Sequence, residues 1–367
     1  MDEYNWASSV GHVRILELGL LTGADFSKLA ETEDLRAAVS ALRDTDYGKQ
    51  LEALGNLEEF GPALERALGD EYEYVLSFSP EPGPILCFLS KYDFHNLKVL
   101  AKELLLGMPM EPRAVSPLSI IPFDDLRGAC AVIGEDGIPS LLPQLLERAR
   151  SRYGARNGHG EQVASFVSKD LVPALVNTFE EARRQGLEEG GPFGVDSSID
   201  RGWMSWVSGY YRKRGYELLA NFAAAEADLT NLRIVMRSLF HGLDPAVVTK
   251  ILLPGGTISP RDIGDAYAAG PEALERVYLC VRWVELFRRG LERVQRRESL
   301  TEWEKECEDT LVEIYRMART RALGPEPVLG FLYGKENEVK NLRIVLSGKQ
   351  SLAPKERILA RIRRSYA

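Results

Sequence analysis

Three times along this 367-residue sequence, an acid, an asparagine and a base recur at one spacing. The sets are Asp93, Asn96, Leu97 and Lys98; Asp228, Asn231, Leu232 and Arg233; and Glu338, Asn341, Leu342 and Arg343. In each, the acid stands three positions before the asparagine and an apolar residue (Phe94, Leu229, Val339) two before; leucine follows directly, then the base. A carboxylate, an amide and a cation held together could shuttle protons, but the residue types argue against it. Asparagine neither titrates nor attacks, and general acid–base work calls for a group whose pKa lies near the working pH, usually histidine or a buried carboxylate. Of the four histidines (His12, His95, His159, His241), only His95 lies in a copy, and its counterparts Thr230 and Lys340 cannot share an imidazole's role. No serine elbow, Walker loop or metal-spaced His/Glu set is present, so no catalytic, cofactor-binding or metal-binding residue is assigned. An active site is needed once; threefold recurrence points to architecture.

The recurring residues need helices to position them. An acid and an asparagine three apart share a helix face, and a base two beyond the asparagine points away from it. The asparagine, carrying donors and an acceptor, can tie its helix to a neighbouring backbone. Ahead of the first copy, Leu64, Ala67, Leu68, Tyr72 and Val75 form one apolar face at near-3.6 spacing, ended by the proline- and glycine-rich Ser77–Pro84. Ahead of the second, a helix from Asp200 carries Trp203, Trp206, Val207, Tyr210 and Tyr211, a core stripe. Ahead of the third, a helix opened by Thr301 with capping-box spacing to Glu304 carries Leu311, Ile314, Tyr315 and Ala318. Acids at matching places (Glu65, Asp200, Asp309) mark where each of these helices begins. Earlier in the chain, Thr32 is the expected cap of a helix through Leu35, and Ser259 with Pro260 opens another. Gly154–Gly160 lacks the order of a dinucleotide site and reads as a surface loop. The basic tail from Pro354 (Lys355, Arg357, Arg361, Arg363, Arg364) reads as a solvated or docking face. No period-two alternation persists. The expected fold is all-α: three related helical units, 1–112, 113–250 and 251–367.

Bulk properties narrow the classes. An apolar fraction of 45% with 27% charged residues is that of a globular protein with a real core. A net charge of −8 argues against a nucleic-acid footprint. No basic region leads an apolar run near Met1, and no stretch reaches the ~20 apolar residues of a spanning helix; a cytoplasmic chain that meets a membrane only through other molecules is expected. Cys87, Cys130, Cys280 and Cys307 are scattered without Cys-x-x-Cys spacing, which fits reduced, buried thiols.

The third copy and its surroundings carry a family resemblance. Ser299–Lys305, Glu326–Leu332 and Lys335–Ile344 resemble the C subunit of V/A-type rotary ATPases, related to the eukaryotic V-ATPase d subunit. Tyr92–Lys98, Thr45–Gly48, Leu253–Thr257 and Arg363–Tyr366 add to it. The likeness runs from about residue 10 to the end and is patchy around 110–195, where Gly154–Gly160 and Glu188–Gly191 depart from the family. It implies a funnel of three units with pseudo-threefold symmetry and a non-catalytic central-stalk role. The rotating shaft (D- and F-type subunits) would be coupled to the membrane proteolipid ring for H⁺ or Na⁺ transport, peripheral to the membrane. Two other readings compete: a free-standing helical scaffold, against which copies 110–135 residues apart count, and a helical hydrolase or transferase with a diffuse site.

Overall fold

The computed structural model describes residues 3–131, 138–154, 158–185 and 191–367. Among them every regular element is helical. By packing, the chain divides into two compact units, 1–80 with 301–367, and 81–300. This division follows contacts, whereas the partition into 1–112, 113–250 and 251–367 follows the repeat.

In the first compact unit everything is built on the third motif helix, Glu326–Gln350, whose residues from Glu326 to Val339 are all buried. A helix apolar on one stripe could not be surrounded in this way; this one is buried all round and brings its polar groups with it. The long helix Phe60–Phe78, the short helices Ala7–Leu16, Gly23–Glu31 and Leu35–Ser40, and the helix Thr301–Arg316 all pack on it. Leu64, Ala67, Leu68, Tyr72 and Val75 form the buried face of Phe60–Phe78. Close approach is possible at two glycines: a Cβ on Gly330 would lie 2.6 Å from Tyr366 Oη and 2.8 Å from Ala318 Cβ, and one on Gly334 2.8 Å from the Tyr366 ring. Tyr366 fills that slot at 2% exposure, so the basic tail is not a solvated face along its length. It runs as the helix Lys355–Arg361 and then turns inward.

In the second compact unit the first motif helix, Lys91–Leu106, packs on the helices Val172–Gln185 and Gly191–Lys213. Trp206 stacks on Phe94 at 5.8 Å and meets Phe166 and Tyr210, while Val207, Tyr210 and Tyr211 are buried. The second motif helix, Glu217–His241, lies against Gly191–Lys213. Gly202, whose Cβ would come within 2.5 Å of the Thr178 side chain, sets how closely two of these helices meet.

Several expectations need correcting. The helix expected from Asp200 starts at Gly191, and Glu65, Asp200 and Asp309 sit inside their helices rather than at the starts. Asp34, not Thr32, caps Leu35–Ser40, because Asp34 is in extended backbone and accepts from Ala37 N; Thr32 ends the preceding helix, donating its hydroxyl to Leu29 O at 2.8 Å. Cys280 is exposed while the other three cysteines are buried, since it lies on the short connection between the helices Pro271–Tyr278 and Val284–Gln295. Parts of the glycine-rich Gly154–Gly160 (155–157) and of Glu188–Gly191 (188–190) lie outside the described residues; Gly160 opens the helix Gly160–Phe166.

Gly330→Ala should destabilise the chain by about 1–3 kcal/mol, the usual cost of overpacking a filled core, because its Cβ would face the Tyr315 carbonyl and Ala318 as well as Tyr366. Urea unfolding of wild type and variant measures it.

Candidate functional site: three asparagine clasps

Each motif asparagine closes a two-bond clasp on one downstream residue. Asn96 Nδ2 donates to Ser116 O at 3.0 Å and Ser116 N donates to Asn96 Oδ1 at 2.8 Å. Asn231 does the same with Leu253, at 2.9 and 2.7 Å, and Asn341 with Arg363, at 3.0 and 2.9 Å. The sequence separations are 20, 22 and 22. A side-chain amide presents a donor and an acceptor at the spacing of a peptide group, so it satisfies both polar atoms of a segment that has left helical geometry. All three asparagines are fully buried, as are Leu97, Leu232 and Leu342 beside them.

The acids hold amides that lead into the next helix. Asp93 accepts from Ile120 N at 3.1 Å and Ile121 N at 2.8 Å, just before the helix Phe123–Ala131. Asp228 accepts from Thr257 N at 2.7 Å, from the Thr257 hydroxyl and from Trp283 Nε1 at 2.9 Å, just before Pro260–Ala269 with its Ser259 cap. Glu338 accepts from Leu21 N and, at 2.7 Å, from Tyr47 Oη; Leu21 immediately precedes Thr22, which caps Gly23–Glu31 with a capping box. One device thus recurs, although the third copy draws its amide from the far end of the sequence.

The bases leave this face. Lys98 pairs with Asp200, and Arg343 with Glu65 at 2.6 Å, two of the three acids that the repeat places in register. The third, Asp309, accepts from Arg364 N at 2.6 Å. Arg233 reaches Thr230 Oγ1 at 3.3 Å.

The third copy also buries a charge. Lys335 Nζ lies 3.0 Å from Glu338 and 2.8 Å from Asp46. Burial works to lower its pKa, but Glu338 and Asp46 outweigh it and the net shift is upward, so the ammonium stays charged. Tyr72 donates to Glu336, and Asn337 Nδ2 to Arg364 O at 2.7 Å. In the first copy, burial pushes the Asp93 carboxyl up to about 7, against the opposing pull of the Ile121 and Ile120 amides and of Arg152.

The repeat did not reveal the partners Ser116, Leu253, Arg363, Tyr47, Trp283 and Lys335, although Leu253, Arg363, Tyr47 and Lys335 lie in the stretches that carry the family resemblance. For the clasp the available signal was the near-constant separation of 20 to 22 residues between each asparagine and its partner. Tyr47, Trp283 and Lys335 have no counterparts at matching positions, so no repeat signal could reveal them. Among the described residues no group of three His, Cys, Asp or Glu side chains is placed to hold a metal.

A family model for the ATP synthase (C/AC39) subunit matches residues 9–361. The chain belongs to that family. Among curated relatives it is 25% identical to the C subunit of the V-type sodium ATPase of Enterococcus hirae, over 96% of this chain and 97% of that one. It is 24% identical to the C subunit of the A-type ATP synthase of Methanocaldococcus jannaschii, over 94% and 83% of the two chains. With that of Pyrococcus abyssi it shares 25% over 91% and 83%. In this C/AC39 chain the three clasps lie inside the matched span, except that Arg363 stands just beyond it.

Two outcomes follow for this C/AC39 protein. Asn231→Leu leaves the buried N–H and C=O of Leu253 unpaired, and at ~1–3 kcal/mol for each orphaned group it should lower unfolding free energy by about 2–5 kcal/mol in urea melts; Asn341→Leu, whose partner is less buried, should cost less. Asp93 has a folded pKa of about 7 against an ordinary value of 3.8, so its protonated form is favoured by folding. Its contribution is full below the unfolded value and lost as pH rises through about 7. Melting temperature should therefore fall between pH 5 and pH 8, and Asp93→Asn should flatten that slope.

Proposed function

We propose that this chain is the non-catalytic central-stalk subunit of a V/A-type rotary ATPase or ATP synthase, coupling the shaft made of D- and F-type subunits to the proteolipid ring that moves H⁺ or Na⁺. The observation that carries the reading is the thrice-repeated clasp, in a chain that belongs to the C/AC39 family and matches its V-type and A-type relatives over nearly its full length. Each clasp fixes the path of the chain after a buried helix, which suits a part that must pass torque without yielding. The three equivalent environments fit three related helical units, about 1–112, 113–250 and 251–367, set around a pseudo-threefold axis as a funnel. The motif residues from Asp93 to Arg343 then stiffen the units rather than touch a substrate. No described helix is long and apolar enough to cross a membrane, which fits a subunit held at the cytoplasmic side of the complex by its partners.

The test is assembly. Affinity-tagged chain drawn from its own cells should bring down shaft and ring subunits in fixed ratio, and the purified chain should leave ATP untouched. A free-standing scaffold would purify without them. ATP turnover by the isolated chain that a single substitution abolishes would overturn the coupler reading.

A further inference from the structure

Beside the third motif helix lies a pocket of about 360 Å³ with three arginines on its wall, Arg343, Arg357 and Arg361. Ser347 and Ser351 contribute hydroxyls, and Ile358 lies against Gly348, where a Cβ would come within 2.6 Å of it. That close approach brings the helix Lys355–Arg361 down onto Glu326–Gln350 and sets its two arginines, one turn apart, on the pocket wall together with Arg343.

The charge there runs against the rest of the molecule. The chain carries 54 acids to 46 Lys and Arg, and elsewhere in the tail each base has an acid: Lys355 with Glu31, Arg363 with Glu308, Arg364 with Glu313. Arg343 is answered by Glu65. Arg357 and Arg361 have no acidic partner among the described residues, and no carboxylate lines the pocket. Like charges brought together without a counter-charge repel, and the site is left with two uncompensated guanidiniums.

We infer that this pocket is a binding site for a phosphomonoester or pyrophosphate group. Two unanswered guanidiniums match the charge of a phosphomonoester, close to −2 at neutral pH. Their planar forks suit phosphate oxygens in bidentate geometry, and the Ser347 hydroxyl can donate to an oxygen that remains, while the Ser351 hydroxyl donates to Ser347 O at 2.8 Å. The volume is at the small end of ligand sites, roughly 300–1,000 Å³, which fits a phosphorylated small molecule or the head of a phosphomonoester lipid. The inference concerns the isolated chain and does not depend on its place in a rotary complex.

Calorimetry of the full chain with pyrophosphate and, separately, co-sedimentation with phosphatidylcholine vesicles containing phosphatidic acid distinguish the two sources. Saturable binding in either arm, weakened at least tenfold in the Arg357→Gln/Arg361→Gln double variant and unchanged in Lys340→Gln, supports the site. Pyrophosphate binding alone assigns a soluble ligand; binding only to the phosphatidic acid vesicles, and not to phosphatidylcholine, assigns a lipid head. Unaltered melting of the double variant shows that the loss is not misfolding. No binding in either arm, or equal binding by the double variant, overturns the inference.

Discussion

The fold depends on one constraint: a backbone that leaves helical geometry inside a protein must still find a partner for every N–H and C=O. At three places a buried asparagine meets that demand for one non-helical residue, and an acid on the same helix face holds one or two further backbone amides. Burying such groups is costly when they are unpaired and close to neutral when they are fully paired. The return for the chain is specificity of path more than stability, since a slip of either partner would strand two buried polar atoms at once.

The three copies solve the same problem with different surroundings. In the second, Asp228 collects a backbone amide, a hydroxyl and an indole N–H, so its charge is spread over three donors. In the first, two amides face an acid whose burial favours the protonated form. In the third, the acid shares a buried lysine with Asp46, and the helix is enclosed over its first fourteen residues, Glu326 to Val339. A buried ion pair of this kind adds little net stability, because desolvation offsets much of the attraction, yet losing one partner leaves an uncompensated charge. Lys335 therefore binds Asp46 and the segment around Tyr47 to the core more by the cost of their departure than by the strength of the bond.

Much of this was legible in the sequence, and the limits have physical reasons. The all-helical class followed from 3.6-residue periodicity, and the buried face of Phe60–Phe78 from the spacing of Leu64, Leu68 and Val75. The motif asparagines were visible because they repeat. Their partners were not, since an amide clasp uses backbone atoms and makes no demand on residue type: Ser116, Leu253 and Arg363 share nothing but position. Packing was hidden for the same reason. Phe60–Phe78 lies against Glu326–Gln350, far along the chain, and Lys91–Leu106 against Gly191–Lys213, pairings that the order of elements does not reveal. The cap at Asp34 was misplaced at Thr32 because either side chain can accept the bond, and only backbone geometry decides between them.

The amide that Glu338 holds belongs to Leu21, 317 residues earlier. On a ribosome, residues 1–80 emerge long before 301–367, the segment they pack with. The middle of the chain forms a compact unit within 81–300 and can settle while synthesis continues. The opening segment must instead wait, with Phe26, Leu29, Tyr47 and Tyr72 lacking the helix that covers them. Closing so long a loop is slow. Residues 1–80 therefore reach their native packing only once 301–367 has been made.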